Sequence, residues 1–286
     1  MSLSAFHLID MKSFAPSRRF SQNFLTDPRT AQKIVDALGV KAGDVVFEIG
    51  PGKGVLTERL LRTEAAGVVA VDLDPRAIQY LKQQSWAQSP RLRLVEGDAL
   101  QQDLSAIAPK SGRLLVIGNI PYAITTPILF ALFEHRAIVH RAVVMMQREV
   151  GQRCVASVGS KDYGILAVAT WYASVAKIAF TVPPGAFFPK PAVTSAVVRF
   201  EMRTVDPFTT SYADFMDFVR SAFSQRRKVL ANALASWSQR IRGCSIRELG
   251  LVYGPFDLGR LRAEELSPEQ LEDLRVQIVS GGTTET

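Results

Sequence analysis

A glycine-rich turn at residues 50–54 constrains the fold of this chain more than any other segment. It follows a short apolar run, DVVFEI at 44–49, and it precedes a segment with helical spacing at 55–62. An apolar run that leads through a tight glycine turn into a helix is typical of the first βα unit of a doubly wound fold. The backbone N–H groups of such a turn are open to a ligand. The turn therefore predicts a ligand site at the switch point of an α/β sheet.

Strand and helix patterns alternate along the chain up to about residue 146. Further strands are predicted at 67–72, 91–95, 113–118 and 142–146, with helices between most of them. Such alternation indicates a mostly parallel sheet with helices on both faces. Two later runs, 175–181 and 195–201, flank the proline-rich loop VPPGAFFPKPAVT and are expected to close the sheet as a hairpin. We therefore expect an α/β, Rossmann-like fold.

The pattern changes after about residue 204, where helical spacing takes over. Segments 211–222, 226–237 and 267–279 show this spacing. The last begins with a capping box, Ser267 to Gln270, and has proline at the first helical position. We predict one domain over 1–205 and a small all-helical domain over 206–286.

Charge and composition narrow the class of partner. The chain has 34 Lys and Arg against 27 Asp and Glu, a net charge of +7, which favours a polyanion such as nucleic acid. The two cysteines and three histidines have no disulfide-framework or metal-ligand spacing, so we expect no metal. The chain has no signal-peptide pattern and no run of roughly 18 apolar residues. These features predict a cytoplasmic protein without membrane contact.

Two features indicate a nucleoside-containing ligand. Asp72 ends the second predicted strand, where doubly wound folds hold a ribose. Asp74 is the competing choice, but beside a proline it is better explained as a helix cap. The pattern G-x-G-x-x-G fails at Val55, and the phosphate-loop pattern G-K-[ST] fails at Gly54. The compact G-x-G-x-G form suits a ligand without a pyrophosphate, such as S-adenosylmethionine.

The tetrapeptide NIPY at 119–122 ends the fourth predicted strand and suits chemistry on the amine of a base. Such an amine is a poor nucleophile because its lone pair is delocalised into the ring. The Asn119 side-chain oxygen and the main-chain carbonyl of Ile120 or Pro121 can accept its hydrogens, which directs the lone pair at a methyl group. Tyr122 can then stack on the base. Asp98, after the third strand, is placed to accept a hydrogen bond from the adenine amine of the cofactor.

Together these segments resemble the ribosomal RNA adenine dimethylase family, most closely its bacterial small-subunit members. The resemblance rests on QNFL at 22–25, EIGPGKG at 48–54, GDAL at 97–100, NIPY at 119–122, F-x-P-x-P-x-V-x-S at 187–195 and FSQRRKVLANAL at 223–234. The chain departs from the family pattern at Asp72, where Glu is more usual, and at 123–126, where Ala-Ile-Thr-Thr replaces Asn-Ile-Ser-Thr.

The resemblance implies an S-adenosylmethionine-dependent enzyme that dimethylates two adjacent adenosines near the 3′ end of 16S ribosomal RNA in immature small subunits. It implies stacking of Tyr122 and Phe187 on a flipped adenine, with Phe188 as the alternative to Phe187. The catalytic candidates are Asn119, Pro121, Tyr122 and Phe187. The cofactor-binding candidates are Asn23, Leu25, Gly50, Asp72, Asp98 and Asn119.

Basic residues of the predicted helical domain are expected to bind RNA phosphates. The run at 225–228 is predicted to open a helix. The candidates are Arg226, Arg227 and Lys228, then Arg240 and Arg242, with Arg18 and Arg19 at the start of the chain.

Three alternatives remain open at this point. The chain could be chiefly an RNA-binding assembly or transcription factor that keeps the cofactor fold. It could also be a large-subunit resistance dimethylase or a DNA adenine methyltransferase. The intact NIPY segment favours activity, and FSQRRKVLANAL favours the small-subunit type.

Overall fold

The computed structural model describes residues 23–225, 227–250 and 252–280, which form two compact units. The first unit takes the chain up to Gly151 and again Val175–Thr204, and the second takes Gln152–Ser174 and the chain from Val205. Segment 152–174 precedes the boundary predicted near residue 205, yet the structure groups it with the second unit. That segment joins the second unit because Tyr172 stacks on Phe215, with ring centroids 5.4 Å apart. The functions assigned to the two domains stay predictions.

The strands and helices of the first unit alternate along the chain. The strands are β1 (Phe24–Leu25), β2 (Val45–Ile49), β3 (Gly67–Asp72), β4 (Leu92–Glu96), β5 (Leu114–Asn119), β6 (Val139–Gln147), β7 (Ser174–Val182), β8 (Phe187–Phe188) and β9 (Ser195–Met202). The helices are α1 (Pro28–Leu38), α2 (Thr57–Leu60), α3 (Pro75–Lys82), α4 (Leu104–Ile107), α5 (Thr125–Glu134) and α6 (Arg148–Cys154), the last of which leads into the second unit.

A seven-stranded sheet with the order β4-β3-β2-β5-β6-β9-β7 forms the centre of this unit. The pairs β3–β4, β2–β3, β2–β5 and β5–β6 are parallel, and β9 runs antiparallel to β6. The two late strands β7 and β9 are neighbours at one edge, as the sequence pattern predicts. The predicted α/β fold is confirmed.

Helices cover both faces of the sheet because successive strand residues point to opposite sides. Val46 of β2 belongs to a core cluster with Ile34 and Leu38 of α1. The next residue, Phe47, lines a small cavity with Leu132 of α5. The central strand is therefore buried on both sides, which accounts for its nearly continuous apolar sequence.

Helix α1 has the ends that the sequence predicts. The carboxylate of Asp27 accepts the backbone N–H of Thr30 at 3.1 Å and its hydroxyl at 2.5 Å. At the other end Gly39 adopts a left-handed conformation with φ of 63°. The guanidinium of Arg141 on β6 donates to the Leu38 carbonyl at 2.6 Å, so the last turn of α1 is tied to the sheet.

The second unit is mainly helical. Its elements are α7 (Ile165–Ala173), α8 (Tyr212–Ala222), α9 (Leu230–Ala233), α10 (Ala235–Arg242), α11 (Ile246–Leu249), α12 (Pro268–Ser280) and a hairpin of β10 (Val252–Tyr253) with β11 (Phe256–Asp257). The sequence pattern does not predict the hairpin. The predicted capping box is confirmed, because the Ser267 hydroxyl accepts the Gln270 N–H at 3.2 Å and the Gln270 side chain accepts the Ser267 N–H at 2.9 Å.

The prediction that 225–228 opens a helix is wrong. Helix α9 begins at Leu230, while Arg227 and Lys228 lie in the preceding turn. The N–H groups of Leu230 and Ala231 donate to the carbonyls of Leu261 and Leu258, at 2.8 and 2.9 Å. These tertiary bonds satisfy the helix start at Leu230, so local spacing does not decide where the helix begins. Within the described ranges no helix is long and apolar enough to cross a membrane.

Replacing Asp27 with alanine should lower the free energy of unfolding by about 1 kcal/mol, because α1 loses its N-cap. Asp27→Asn is the matched control, since its carboxamide oxygen still accepts the helix N–H groups. The hydrogen bond from the Thr30 hydroxyl holds the pKa of Asp27 below its ordinary value of 3.8. The carboxylate therefore contributes its stability above that value and loses it as the pH falls through its lower native pKa. Urea unfolding at pH 7 measures the effect, and equal stability of Asp27→Ala and the wild type would contradict it.

Candidate active site

A cavity of about 380 Å³ lies where β2, β3, β4 and β5 end. This volume is within the range of small-molecule and cofactor sites. All six predicted cofactor-binding residues line the cavity, and so do three of the four predicted catalytic residues, since Asn119 belongs to both sets. They are Asn23, Leu25, Gly50, Asp72, Asp98 and Asn119, with Pro121 and Tyr122.

The glycine-rich turn presents bare backbone to the cavity. Gly50, Gly52 and Gly54 all have left-handed conformations, with φ of 66°, 54° and 76°. A side chain at Gly52 would lie 3.0 Å from the ring of Phe24, and one at Gly54 would lie 2.7 Å from the ring of Trp86. Both conformation and space therefore require glycine at these two positions.

Asp72 is nine-tenths buried at the end of β3 and is tied to the turn. Its carboxylate oxygens accept the N–H of Gly52 at 3.1 Å and the N–H of Asp74 at 2.9 Å. Burial raises the pKa of this carboxyl above its ordinary value. The neighbouring Asp74 caps α3 by accepting the Arg76 N–H at 3.0 Å, which confirms the cap predicted for it.

Glu48 is a further residue of this cavity to which the sequence pattern assigned no role. It lies within the apolar run of β2, is 1% exposed, and lines the cavity. One carboxylate oxygen, Oε2, accepts the Thr57 hydroxyl at 2.7 Å, whereas Oε1 has no hydrogen-bond partner among the described residues. Burial raises the pKa of this carboxyl to about 8, with a smaller contribution from the charge of Asp72. A glutamate inside a strand that is apolar on both faces was the available sequence signal.

A hydrogen bond to the backbone of Asn23 orients the side chain of Asn119. Its side-chain nitrogen donates to the main-chain carbonyl of Asn23 at 3.1 Å, so its side-chain oxygen points away from Asn23. Asp98 lines the same cavity, and its carboxylate caps a short turn by accepting the Leu100 N–H at 2.9 Å. The roles of these side chains toward a cofactor or a base stay predictions.

Pro121 and Tyr122 follow Asn119 on the cavity wall. The Pro121 carbonyl already accepts the Ile124 N–H at 3.1 Å and the Thr125 hydroxyl at 3.3 Å. The Tyr122 hydroxyl lies 2.8 Å from the Ser195 hydroxyl. The tyrosine ring is half-buried, so one part of it is held by the protein while another part is open.

The two phenylalanines of the proline-rich loop differ in exposure. β1 and β8 pair antiparallel, with Phe24 opposite Phe188 and Leu25 opposite Phe187. Phe187 is 5% exposed and belongs to the core cluster of the first unit, whereas Phe188 is 53% exposed. The structure does not place Phe187 among the residues that line the cavity.

The basic residues predicted to bind RNA have different surroundings within the second unit. Arg227 and Lys228 are exposed. Arg240 forms an ion pair with Asp217, and Arg242 donates to the Val279 carbonyl at 2.7 Å. The other predicted contacts, Arg18, Arg19 and Arg226, lie outside the described residues.

The described part of the chain holds no group of three or more His, Cys, Asp and Glu side chains that could bind a metal ion. The cavity is lined by aliphatic side chains together with the backbone of the glycine-rich turn, three carboxyl groups, two side-chain amides, one lysine and two aromatic rings. This set suits an organic ligand with hydroxyl and amine groups.

Comparison with known proteins gives consistent matches over most of the chain. A family model described as ribosomal RNA adenine dimethylase matches residues 14–248. Proteins named ribosomal RNA small subunit methyltransferase A from Acidobacterium capsulatum and Methylococcus capsulatus are 41% and 42% identical. These matches cover 90% and 88% of this chain and 89% and 93% of the relatives.

Two solved structures superpose on most of this chain. A dimethyladenosine transferase from Plasmodium falciparum superposes with a TM-score of 0.74 and 25% identity, over 91% of this chain and 98% of that one. The 23S rRNA methyltransferase ErmE superposes with a TM-score of 0.64 over 90% of this chain and 99% of that one, and at 23% identity it shows a shared fold alone. Because the family model spans more than half of the sequence and the relatives match nearly all of it, the chain belongs to the ribosomal RNA adenine dimethylase family.

Proposed function

We propose that this protein transfers methyl groups from S-adenosylmethionine to the exocyclic amines of two adjacent adenosines in the 3′-terminal hairpin of 16S ribosomal RNA, in immature small subunits. The observation that carries the proposal is that Asn119 and Tyr122 line the same cavity as the glycine-rich turn and Asp72. The names of the relatives support a small-subunit RNA substrate. The cytoplasmic location expected from the sequence accompanies this proposal.

The residues of the cavity fit S-adenosylmethionine. That cofactor carries an ammonium, two ribose hydroxyls and an adenine amine, all of which donate hydrogen bonds. Glu48 Oε1, for which the described part of the chain supplies no hydrogen-bond partner, is a buried acceptor that an ammonium would satisfy. Asp72 and Asp98 offer carboxylate oxygens to the hydroxyls and to the adenine amine. When bound, the cofactor supplies an electrophilic methyl group on its sulfonium sulfur.

Asn119 and a neighbouring carbonyl would orient the target amine. The side-chain oxygen of Asn119 accepts one N–H of that amine, and a main-chain carbonyl accepts the other. Of the two carbonyls that the sequence leaves open, we favour Ile120, because the Pro121 carbonyl already accepts hydrogen bonds from Ile124 and Thr125. Orientation is the main task of these groups. After transfer the nitrogen releases its excess proton to water, so the chain needs no strong base.

Aromatic stacking would hold the target adenine beside Asn119. The half-buried ring of Tyr122 lines the cavity and suits this role. Phe187 remains the second stacking residue implied by the family resemblance, although its ring is packed in the core. The exposed ring of Phe188 supports the alternative assignment.

RNA binding is proposed for the basic residues of the second unit. Arg227 and Lys228 are exposed in the turn before α9, where their charges are available to phosphates. Arg226 is included on the family resemblance.

Two other functions are distinguished by the substrate. A resistance dimethylase would act on large-subunit RNA, as ErmE is named for, yet that structure is 23% identical whereas the small-subunit relatives are 41% and 42% identical. A non-catalytic assembly factor would bind small subunits without needing the amine-orienting groups. The hydrogen bond that orients Asn119 favours catalysis over that reading.

Transfer of radiolabelled methyl groups to immature small subunits tests the function. The wild type should label adjacent adenosines near the 3′ end of 16S RNA as dimethyladenosine, and Asn119→Ala should lose about 100-fold or more in rate, as removal of one orienting group does elsewhere. Gln32→Ala is the control, because it removes an exposed amide from the outer side of α1.

Two results would overturn this proposal. Tight binding of subunits without label would favour the assembly factor, and label on large-subunit RNA would favour the resistance enzyme.

Affinity for S-adenosylmethionine should depend on the ionisation of Glu48. With its pKa raised by burial to about 8, this carboxyl is mainly neutral at pH 7 in the free protein. An ammonium beside it would favour the ionised form, so binding would release a proton. The dissociation constant should therefore fall as the pH rises towards 8, by at most about tenfold per pH unit, and then level off.

Isothermal titration calorimetry at pH 6, 7 and 8 measures this effect. Glu48→Gln cannot ionise and should show a flatter pH dependence. Glu58→Gln, which changes a glutamate of α2 paired with Arg62, should behave as the wild type. The assignment fails if the wild type and Glu48→Gln show the same pH dependence.

A further inference from the structure

We propose that Ser195 is a positioning residue that fixes the ring of Tyr122 for stacking against the target adenine. The proposal rests on the function proposed above and assigns a role to the last residue of the F-x-P-x-P-x-V-x-S segment. Ser195 is the first residue of β9 and is fully buried. Its hydroxyl lies 2.8 Å from the hydroxyl of Tyr122, and either group can donate.

The backbone of Ser195, which anchors the Tyr122 hydroxyl, is rigid because it belongs to the sheet. Ser195 pairs with Gln147 in the antiparallel ladder between β6 and β9. The preceding carbonyl, that of Thr194, accepts the Arg148 N–H at 3.0 Å. The Ser195 hydroxyl therefore projects from backbone that is fixed on both sides of the residue.

Tyr122 needs such an anchor because of where it lies. Its backbone is in a single 3₁₀ turn, Tyr122–Ile124, between the end of β5 and α5, and its ring is half-buried beside the cavity. A tyrosine side chain has two freely chosen torsion angles, so a ring held only at its Cα can tilt. A hydrogen bond at the hydroxyl, the far end of the ring, fixes that tilt before a base arrives. Because the ring is already ordered in the free protein, RNA binding does not lose the free energy that ordering it would cost.

A purely structural role makes a different prediction. If the bond only satisfied a buried hydroxyl, its loss would lower stability and leave turnover unchanged. Ser195→Ala removes the buried hydroxyl together with its need for a partner. The Tyr122 hydroxyl loses this one partner, but it belongs to a residue that is only half-buried. We therefore expect the variant to fold with nearly the stability of the wild type.

The experiment is a double-mutant cycle with Ser195→Ala and Tyr122→Phe, measured as kcat/KM for methyl transfer to immature small subunits. Each single variant should lose about three- to tenfold, the effect expected of one neutral hydrogen bond. The double variant should lose no more than either single one, because both changes remove the same bond. The dissociation constant for S-adenosylmethionine should stay within about twofold in all of them, since the ring is assigned to the base and not to the cofactor.

The matched control is Ser174→Ala. Ser174 is likewise a buried serine at the first position of a strand, but its hydroxyl donates to the Thr170 carbonyl at 3.0 Å. Its removal should leave kcat/KM unchanged. A loss as large as that of Ser195→Ala would show that any buried serine hydroxyl matters equally, which overturns the specific role.

A second readout reports ring position without any substrate. In protein labelled with 3-fluorotyrosine, the Tyr122 resonance is the one missing from Tyr122→Phe. This resonance should shift or broaden in Ser195→Ala and stay in place in Ser174→Ala. An unchanged resonance would overturn the positioning role, as would additive losses in the double variant.

The two proposals fail in different ways. If the wild type methylates small subunits and Ser195→Ala is equally active, the role of Ser195 is overturned while the proposed function stands. If the wild type transfers no methyl group to any ribosomal RNA, the proposed function is overturned.

Discussion

Parallel hydrogen bonding between β3, β2 and β5 determines where the glycine-rich turn, Asp72 and Asn119 lie at the cavity. The register places Ile49 of β2 beside Val71 on one side and Gly118 on the other. The next residues along the three strands are the glycine-rich turn, Asp72 and Asn119, so they leave the sheet at the same level. Parallel strands require crossover connections, and this is why segments far apart in sequence meet at one edge. A slip of one residue in β5 would turn Asn119 to the opposite face and separate it from the turn.

Local sequence patterns predicted most of the strands and helices that form this edge of the sheet. Apolar runs located the strands, and the starts of α1 and α3 were predicted from an Asp-Pro pair followed by helical spacing. Strand order predicted that Gly50, Asp72, Asp98 and Asn119 meet at one edge of the sheet, whereas Asn23 and Leu25 were expected there only from the family resemblance. Patterns failed where distant residues decide the outcome. The start of α9 depends on carbonyls near residue 260, and the helix at 165–173 joins the second unit through aromatic packing.

Glu48 shows how a buried carboxyl group can be hidden in an apolar sequence pattern. In a run of alternating residues a glutamate would mark the solvent face, but β2 is central and covered on both sides. Its carboxyl is therefore costly to bury, and one oxygen has no partner among the described residues. A cost of this kind is retained where a ligand completes the hydrogen bonding, and the surrounding apolar core makes the strand stable enough to tolerate it.

The ladder between β1 and β8 joins two ends of the first unit that are far apart in sequence. The Thr26 hydroxyl donates to the Ala186 carbonyl across 160 residues, and the Asn23 carbonyl orients Asn119 from the same short stretch. During synthesis, the glycine-rich turn and the NIPY segment leave the ribosome well before Phe187 does. A nascent chain would thus contain Gly50 and Asn119 long before the strand that follows Asn23 has a partner. The segment that brings Asn23 and Leu25 to the cavity wall can therefore form its ladder only after the proline-rich loop has been translated.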